Sequence, residues 1–291
     1  MVKKNNKRRI RPAGESGIAS SPTSMISIMG NIKVEIVNRI CKRWYSRFQK
    51  KYNTDLAFSQ SLHKFPDRNE IYAHMHHYYY HYCPQEIKEH RSYFNKERRG
   101  FGEDAFHAMW WTIMREYKPH YCLEIGVYRG QVVSLLSLIA KQQKFPCEVF
   151  ALSPFLPVGH WNYPDLIDYR EDVRKNFRYF GLPEPTLWKS YSNDKKGIEY
   201  IGRKKWDLIY IDGDHDYDIV LSDYKHCIKS LAKGGILVFD DSSLATSYRS
   251  PAFASAGQDG PSRVVRDYAM KEKKLKLLGA VGHNTVFRKL R

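Results

Sequence analysis

The amino-acid sequence predicts an α/β protein whose core is a doubly wound, seven-stranded and mostly parallel sheet. Five short apolar runs alternate with four segments of helical periodicity, the pattern of parallel strands joined by crossover helices. Two more apolar runs follow near the carboxyl terminus with only a short Gly-His-Asn connection between them, so we expect a hairpin that ends the sheet with one antiparallel strand. The expected strands are 121–127, 147–152, 186–189, 207–211, 236–239, 275–278 and 285–287, and the expected crossover helices are 131–142, 165–180, 195–202 and 218–232.

The residues before this sheet predict a basic tail and a helical extension. Residues 1–50 hold twelve Lys or Arg and two acids, and they therefore contribute +10 of the formal net charge of +17. The first 30 residues are too poor in apolar surface to order themselves, which indicates a disordered tail. Ile36, Ile40 and Trp44 recur every four residues and favour an amphipathic helix. We expect a tail at 1–30, a helical N-terminal extension at 31–99 and the main domain at 100–291.

Composition argues against several classes of protein. Five widely spaced cysteines form no C-x-x-C pair, so a disulfide framework or a zinc site is not expected and a reducing compartment is favoured. No apolar run approaches the roughly 18 residues that cross a bilayer, and charged residues rather than a signal-type apolar core follow Met1. We therefore expect a cytoplasmic protein.

A segment rich in histidine and tyrosine, residues 71–82, invites two interpretations. His77 and His81 lie four residues apart and would share one face of a helix, as zinc ligands do. No H-E-x-x-H arrangement accompanies them, and such segments commonly form half-buried aromatic layers. We favour a lid or an oligomer contact over a metal site here.

The most informative stretch is the β-α-β unit from Trp206 to Phe239. Its two strands should be parallel and joined by a right-handed crossover, so both release their following residues at the same edge of the sheet. The acids and the histidine that follow these strands are Asp212, Asp214, His215, Asp240 and Asp241. Several carboxylates at one edge repel one another unless a cation or a bound substrate lies between them. This edge is also where open α/β sheets bind their ligands.

A glycine-containing turn follows the first strand. Glu124, Gly126 and Gly130 form an E-x-G-x-x-x-G pattern immediately before a helix. Gly126 permits a tight turn and the close approach of a ligand, and Gly130 lets the helix begin close to the strand. The pattern differs from the G-x-G-x-x-G of dinucleotide-binding folds. It suits a ligand that offers cationic or hydroxyl groups to Glu124.

These motifs resemble those of class I S-adenosylmethionine-dependent methyltransferases, whose sheet is commonly completed by an antiparallel seventh strand. Together with W-D-L-I-Y-I-D-G-D-H-D-Y and G-G-I-L-V-F-D-D, the likeness narrows to metal-dependent O-methyltransferases similar to macrocin O-methyltransferase and the cephalosporin hydroxylase-like group. The resemblance covers about residues 100–291 and implies a Rossmann-like methyltransferase fold.

The resemblance also implies roles for individual residues. The first motif would hold the methionine part of the cofactor, the end of the second strand would contact its ribose, and the residues after the third strand would contact its adenine. The residues at those positions are Glu124, Gly126, Val127, Tyr128 and Gly130, then Ser153, which stands where the family usually has an acid, and Ser192. The implied metal ligands are Asp212, Asp240 and Asp241, and the implied catalytic residues are Asp212 and the general base His215.

The chemistry of methyl transfer agrees with these residue types. An alcohol is almost never ionised at neutral pH, so a hard dication such as Mg²⁺ must lower its pKa while an imidazole takes its proton. We expect an S-adenosylmethionine- and Mg²⁺-dependent O-methyltransferase that acts on a sugar or another glycosylated small molecule. Trp161 and Tyr163 are candidates either for stacking on a sugar ring or for plain packing.

Two alternatives and one assembly question remain open at this stage. The basic amino-terminal arm favours an RNA methyltransferase as the first alternative. The second is a basic binding protein that retains the fold without catalysis. The aromatic extension is compatible with a homo-oligomer.

Overall fold

The computed structural model describes residues 36, 39, 49–156, 168–251 and 254–290. The predicted tail at 1–30 and the pair Trp161 and Tyr163 lie outside the described residues. Within the predicted amphipathic helix, Ile36 and Arg39 are helical, and Ile36 is exposed. The division of the chain at residue 100 stays a prediction.

The core is a single seven-stranded sheet in the order β3-β2-β1-β4-β5-β7-β6. Strands β1 to β5 pair in parallel, and β7 pairs antiparallel with both β5 and β6. The predicted fold class and the carboxyl-terminal hairpin are thereby confirmed. One detail differs, because β7 returns between β5 and β6 and the antiparallel strand is therefore not the edge of the sheet. The strands are β1 Tyr121–Ile125, β2 Glu148–Ser153, β3 Thr186–Lys189, β4 Trp206–Ile211, β5 Leu231–Phe239, β6 Leu275–Val281 and β7 Asn284–Lys289.

Helices cover the two faces of the sheet and precede its first strand. In the described residues they are α1 Gln49–Tyr52, α2 Phe58–Lys64, α3 Arg68–His81, α4 Gln85–Asn95, α5 Asp104–Tyr117, α6 Gln131–Gln143, α7 Tyr169–Tyr179, α8 Lys195–Gly202, α9 Tyr217–Ser230 and α10 Asp259–Asp267. Short 3₁₀ turns follow α4 at Lys96–Arg98 and α10 at Ala269–Lys271. Two buried apolar clusters form the core, one on each side of the sheet.

The junction between α9 and β5 corrects a predicted boundary. The sequence suggested a helix to residue 232 that stops at Gly234, whereas the structure ends α9 at Ser230 and begins β5 at Leu231. Leu231 pairs with Trp206 and is buried, so burial of its side chain extends the strand backwards. The extra residues are accommodated by a shift in register, and Gly234 there has φ +80°. The glycine therefore permits an irregular strand rather than a helix end.

The histidine-rich helix α3 lies in the interior. Residues 71–79 are all buried, and burial lowers the pKa of His74, His76 and His77 to about 4. His74 is also hydrogen-bonded to Ser61 at 3.1 Å. These rings are part of an aromatic core, which contradicts a lid formed by residues 71–79, whereas the alternative of an oligomer contact stays a prediction.

Candidate active site

The site lies at the carboxyl edge of the sheet, where the neighbouring strands β1, β4 and β5 end level with one another. The amide of Gly126 donates to the carbonyl of Leu152 at 3.0 Å, and the amide of Asp212 donates to the carbonyl of Ile125 at 2.9 Å. Asp240 continues the same pattern, because its amide lies 3.0 Å from the carbonyl oxygen of Ile211. The loops after β1, β4 and β5 therefore leave the sheet side by side.

The turn after β1 rests directly on the loop after β4. Gly126 has φ +95°, and a Cβ atom there would lie only 2.0 Å from the carbonyl oxygen of Asp212. Gly130, with φ +85°, is the N-cap of α6, and a Cβ there would approach Val173 to 3.0 Å. Gly126 thus brings the predicted cofactor turn against the residue that begins the acidic edge, and Gly130 lets the start of α6 pack against Val173.

Glu124 places a buried carboxyl group beneath this turn. It is 4% exposed and accepts the amide of Val133 in the first turn of α6, while its Oε2 atom has no hydrogen-bond partner. Burial raises the pKa of Glu124 to about 8, the Val133 amide opposes that shift, and the negative charge of Asp240 adds to it. An unpaired buried carboxyl oxygen is uncommon, and it suits a ligand that carries cationic or hydroxyl donors.

The other predicted cofactor residues have contacts within the protein. Ser153 is buried and donates its hydroxyl to the carbonyl of Val127 at 2.9 Å, which ties the end of β2 to the glycine turn. Tyr128 is part-buried. Ser192 lies against the buried carboxyl of Asp223, whose pKa is raised by burial to about 7. Their proposed contacts with ribose and adenine stay predictions.

The acidic edge forms a compact group of possible metal ligands. Oxygen atoms of Asp240 and Asp241 and a ring nitrogen of His283 all lie within 4.8 Å of one another. Asp212 joins them through a hydrogen bond between its carboxyl group and that of Asp240. The three predicted metal ligands are therefore brought together, with a histidine that the sequence did not single out.

The pKa values of Asp212 and Asp240 are shifted in opposite directions. Burial and the neighbouring Asp240 hold the pKa of Asp212 well above its usual range. Burial acts in the same direction on Asp240, but the adjacent His283 outweighs it and lowers the pKa of that carboxyl. The proton of the Asp212–Asp240 pair therefore lies on Asp212. Carboxylate oxygens gathered in this way are the ligands that hard dications prefer.

The loop after β5 is held in a strained conformation. Asp241 has φ +46°, a region that non-glycine residues rarely adopt. Its side chain accepts the Ser255 hydroxyl at 2.9 Å, and its carbonyl accepts the amide of Gln258 at 2.7 Å. These contacts fix the direction of the Asp241 carboxylate, as backbone strain at functional sites often does.

The predicted base lies beside this carboxylate. Nε2 of His215 is 3.6 Å from Oδ2 of Asp241, and the His215 side chain is 31% exposed. The neighbouring Asp214 and Asp216 are exposed, and Asp216 caps α9. Nε2 of His215 is thus buried beside the Asp241 carboxylate, while other atoms of the ring are exposed.

Two residues of the site were not predicted. His283 lies in the turn between β6 and β7. Glu103, which immediately precedes α5, accepts the hydroxyl of Tyr72 and makes no side-chain capping bond to the helix. Burial raises the pKa of Glu103 to about 7, which the nearby His283 partly opposes. The topology offered a signal for His283, because a turn that follows a strand parallel to β5 must lie at the same edge as Asp240.

Comparisons with known proteins agree with this architecture. Residues 123–242 match a protein family described as a methyltransferase domain. An uncharacterized protein of Acanthamoeba polyphaga mimivirus, R132, is 28% identical over 123 residues, which are 41% of this chain and 50% of the viral protein. The matched region thus spans half of that relative.

Two solved structures share the fold at low sequence identity. The methyltransferase PaMTH1 of Podospora anserina, solved with SAH bound, has a TM-score of 0.51 and 16% identity, over 72% of this chain and 89% of that chain. An O-methyltransferase of Bacillus cereus in complex with SAH also has a TM-score of 0.51, with 12% identity over 77% of this chain and 100% of that chain.

Across the described residues, the helices are all too short or too polar to cross a bilayer.

Proposed function

We propose that the chain is an S-adenosylmethionine-dependent O-methyltransferase that also depends on a divalent cation. Residues 123–242 match a family described as a methyltransferase domain, and the fold is shared with two methyltransferases solved with SAH bound. One observation carries the proposal. The glycine turn at Gly126 lies on the backbone of Asp212, whose side chain is hydrogen-bonded to Asp240. The donor side and the acceptor side of a methyl transfer therefore meet at one edge of the sheet.

The cofactor fits the side of the site formed by β1. The absence of a Cβ atom at Gly126 lets the turn pack on the backbone of Asp212, and the unpaired Oε2 of the buried Glu124 offers an acceptor next to the turn. S-adenosylmethionine, when bound, supplies an electrophilic methyl group on a sulfonium. Gly126, Val127, Tyr128 and Gly130 would hold its methionine part, and Glu124 would accept from its ammonium or hydroxyl donors.

The acceptor hydroxyl fits the side formed by β4 and β5. Asp212, Asp240 and Asp241 would hold the cation, which lowers the pKa of a hydroxyl that contacts it. His215 would take the proton of that hydroxyl at Nε2, and the Asp241 carboxylate 3.6 Å away would stabilise the imidazolium that results. The strained backbone of Asp241 keeps the carboxylate turned towards both partners.

The acceptor that we propose is a sugar or a glycosylated small molecule. Two neighbouring hydroxyls can occupy two adjacent positions of an octahedral cation, and one of them then lies within reach of the base. Of the basic amino-terminal arm, which would serve an RNA substrate instead, only residues 36, 39, 49 and 50 are described.

The direct test is methyl transfer with the whole chain. We expect calorimetry to detect S-adenosylmethionine binding, and we expect methylated product from a panel of nucleotide sugars and glycosylated metabolites only when a divalent cation is present. Undiminished turnover in excess chelator would remove the cation from the proposal. Failure to bind S-adenosylmethionine would contradict the proposal that the protein is a methyltransferase. Methylation of RNA, but of no member of the panel, would show that the acceptor is RNA rather than a sugar.

A further inference from the structure

His283 is placed at the acidic edge by the topology of the carboxyl-terminal hairpin. It follows Gly282, which has φ +56° and whose Cβ position would be 2.9 Å from Tyr72. The carbonyl of His283 accepts the amide of Ser242 at 2.8 Å, one residue after Asp241. The turn is therefore fastened to the loop that carries two of the proposed metal ligands.

The orientation of the imidazole ring is fixed as well. Nδ1 lies 3.2 Å from the carbonyl oxygen of Ser255, which can only accept, so Nδ1 donates to it. The ring packs against Phe106 with a centroid separation of 4.6 Å. Nε2 points in the other direction and lies 3.3 Å from Oδ1 of Asp240. Because Nδ1 donates to Ser255, Nε2 is the ring nitrogen left to face the Asp240 carboxylate, the arrangement found in histidine ligands of metals, while Oδ1 of Asp241 lies 3.8 Å from Nδ1 on the other side of the ring.

We propose that His283 is a nitrogen ligand of the divalent cation, together with Asp240 and Asp241, and that the site prefers a first-row transition dication such as Mn²⁺ to Mg²⁺. Adjacent ligand atoms about 2.1 Å from a metal are separated by about 3.0 Å in an octahedron and about 3.4 Å in a tetrahedron. The separation of 3.3 Å between Nε2 of His283 and Oδ1 of Asp240 lies in that interval.

The chemistry of the donors supports this preference. Mg²⁺ takes oxygen ligands almost exclusively, whereas imidazole suits the transition dications, and Mn²⁺ accepts both donor types. The ring is 7% exposed, and each of its nitrogens faces an oxygen atom of the protein.

The inference rests on the proposed function for the catalytic use of the cation, but the binding of the cation is measured on its own. Mn²⁺ and Mg²⁺ are titrated by calorimetry into the whole protein, into His283→Gln and into His215→Gln, the matched histidine control on the neighbouring loop. Pulsed electron paramagnetic resonance of bound Mn²⁺ then reports coupling to nitrogen, and labelling with ¹⁵N-histidine assigns that coupling to a histidine.

We expect Mn²⁺ to bind the wild type at least tenfold more tightly than Mg²⁺, with histidine nitrogen coupling. His283→Gln should weaken Mn²⁺ binding about tenfold or more, abolish the coupling and change the Mg²⁺ affinity less than threefold. His215→Gln should keep both the affinity and the coupling. Thermal unfolding and S-adenosylmethionine binding show whether His283→Gln is folded. If the variant does not fold, the presence or absence of histidine nitrogen coupling in the wild-type spectrum still tests the inference.

Three results overturn the inference: no nitrogen coupling in the wild type, coupling that persists in His283→Gln, or equal affinity for the two cations. Failure of the proposed function is distinguished from failure of this inference by a different set of results. Mn²⁺ would then bind with nitrogen coupling while no acceptor is methylated. Methyl transfer that proceeds with Mg²⁺ and an all-oxygen site would leave the function intact and refute only the role of His283.

Discussion

Histidines occupy two regions of this molecule and behave in opposite ways. In α3, burial lowers the pKa of His76 to about 4, and the ring is 3% exposed. At the edge of the sheet, His283 is 7% exposed, yet its pKa is about 9, because the carboxylate of Asp240 outweighs the effect of burial. Burial is similar in the two regions, but the neighbouring charges differ. His76 lies 4.0 Å from one carboxylate, Asp104, which is also paired with Arg91, whereas His283 lies within 4 Å of both Asp240 and Asp241. Neighbouring charge, rather than the density of histidines in the sequence, therefore separates a core residue from a site residue.

The largest expected effect comes from removing charge at the acidic edge. Asp241→Asn keeps the shape of the side chain but removes a ligand and the partner of His215, so we expect methyl transfer to fall roughly 10³-fold or more. Asp214→Asn, an exposed acid on the loop of His215, is the matched control and should retain activity. Single-turnover assays at saturating S-adenosylmethionine measure both. Equal losses in the two variants would contradict the assignment of the edge.

A smaller effect should distinguish the histidines themselves. His215→Gln removes the base and should lower kcat by about 10²- to 10⁴-fold, with the affinity for S-adenosylmethionine changed less than twofold. His76→Gln alters a core ring in α3 and should leave kcat per folded molecule unchanged while lowering the unfolding midpoint. A loss of kcat in His76→Gln equal to that in His215→Gln would erase the difference between the two regions.

The smallest expected effect is a pH dependence of stability from α3. The folded pKa of His76, about 4, lies below its ordinary value of 6.5. The stabilising contribution of the neutral ring is therefore complete above pH 6.5 and is lost as the pH falls towards 4, because only the unfolded chain then binds the proton. The free energy of unfolding in urea should fall between pH 7 and pH 5 in the wild type. In His76→Gln this fall should be smaller by about 2 kcal/mol. His63→Gln, at an exposed position, should behave as the wild type does.

The sequence was sufficient for most of the fold. Buried runs such as Leu208–Ile211 have no alternative to a strand covered on both faces, and the spacing of acids after β4 and β5 follows from parallel pairing alone. The end of α9 was misplaced because Gly234 permits a strand irregularity as readily as a helix stop. The burial of α3 was missed because alternating His and Tyr carry no clear apolar periodicity.

The site was predictable only in part, for a geometric reason. Asp212 and Asp240 follow strands that pair directly, so their proximity can be deduced from local patterns. His283 reaches the same place through a hairpin whose strand order is fixed by tertiary packing. The contact between Glu103 and Tyr72 joins α5 to α3, and no local pattern in the sequence relates these two helices.

The central claim is that the cofactor turn and the acidic edge form one site. Crystals of the whole protein soaked with Mn²⁺ and S-adenosylhomocysteine, measured near the manganese absorption edge, test it most directly. We predict one anomalous peak in contact with the carboxylates of Asp240 and Asp241, and the cofactor sulfur above the turn at Gly126 facing that peak. Manganese bound away from these carboxylates, or a cofactor that does not touch the Gly126 turn, would contradict the account.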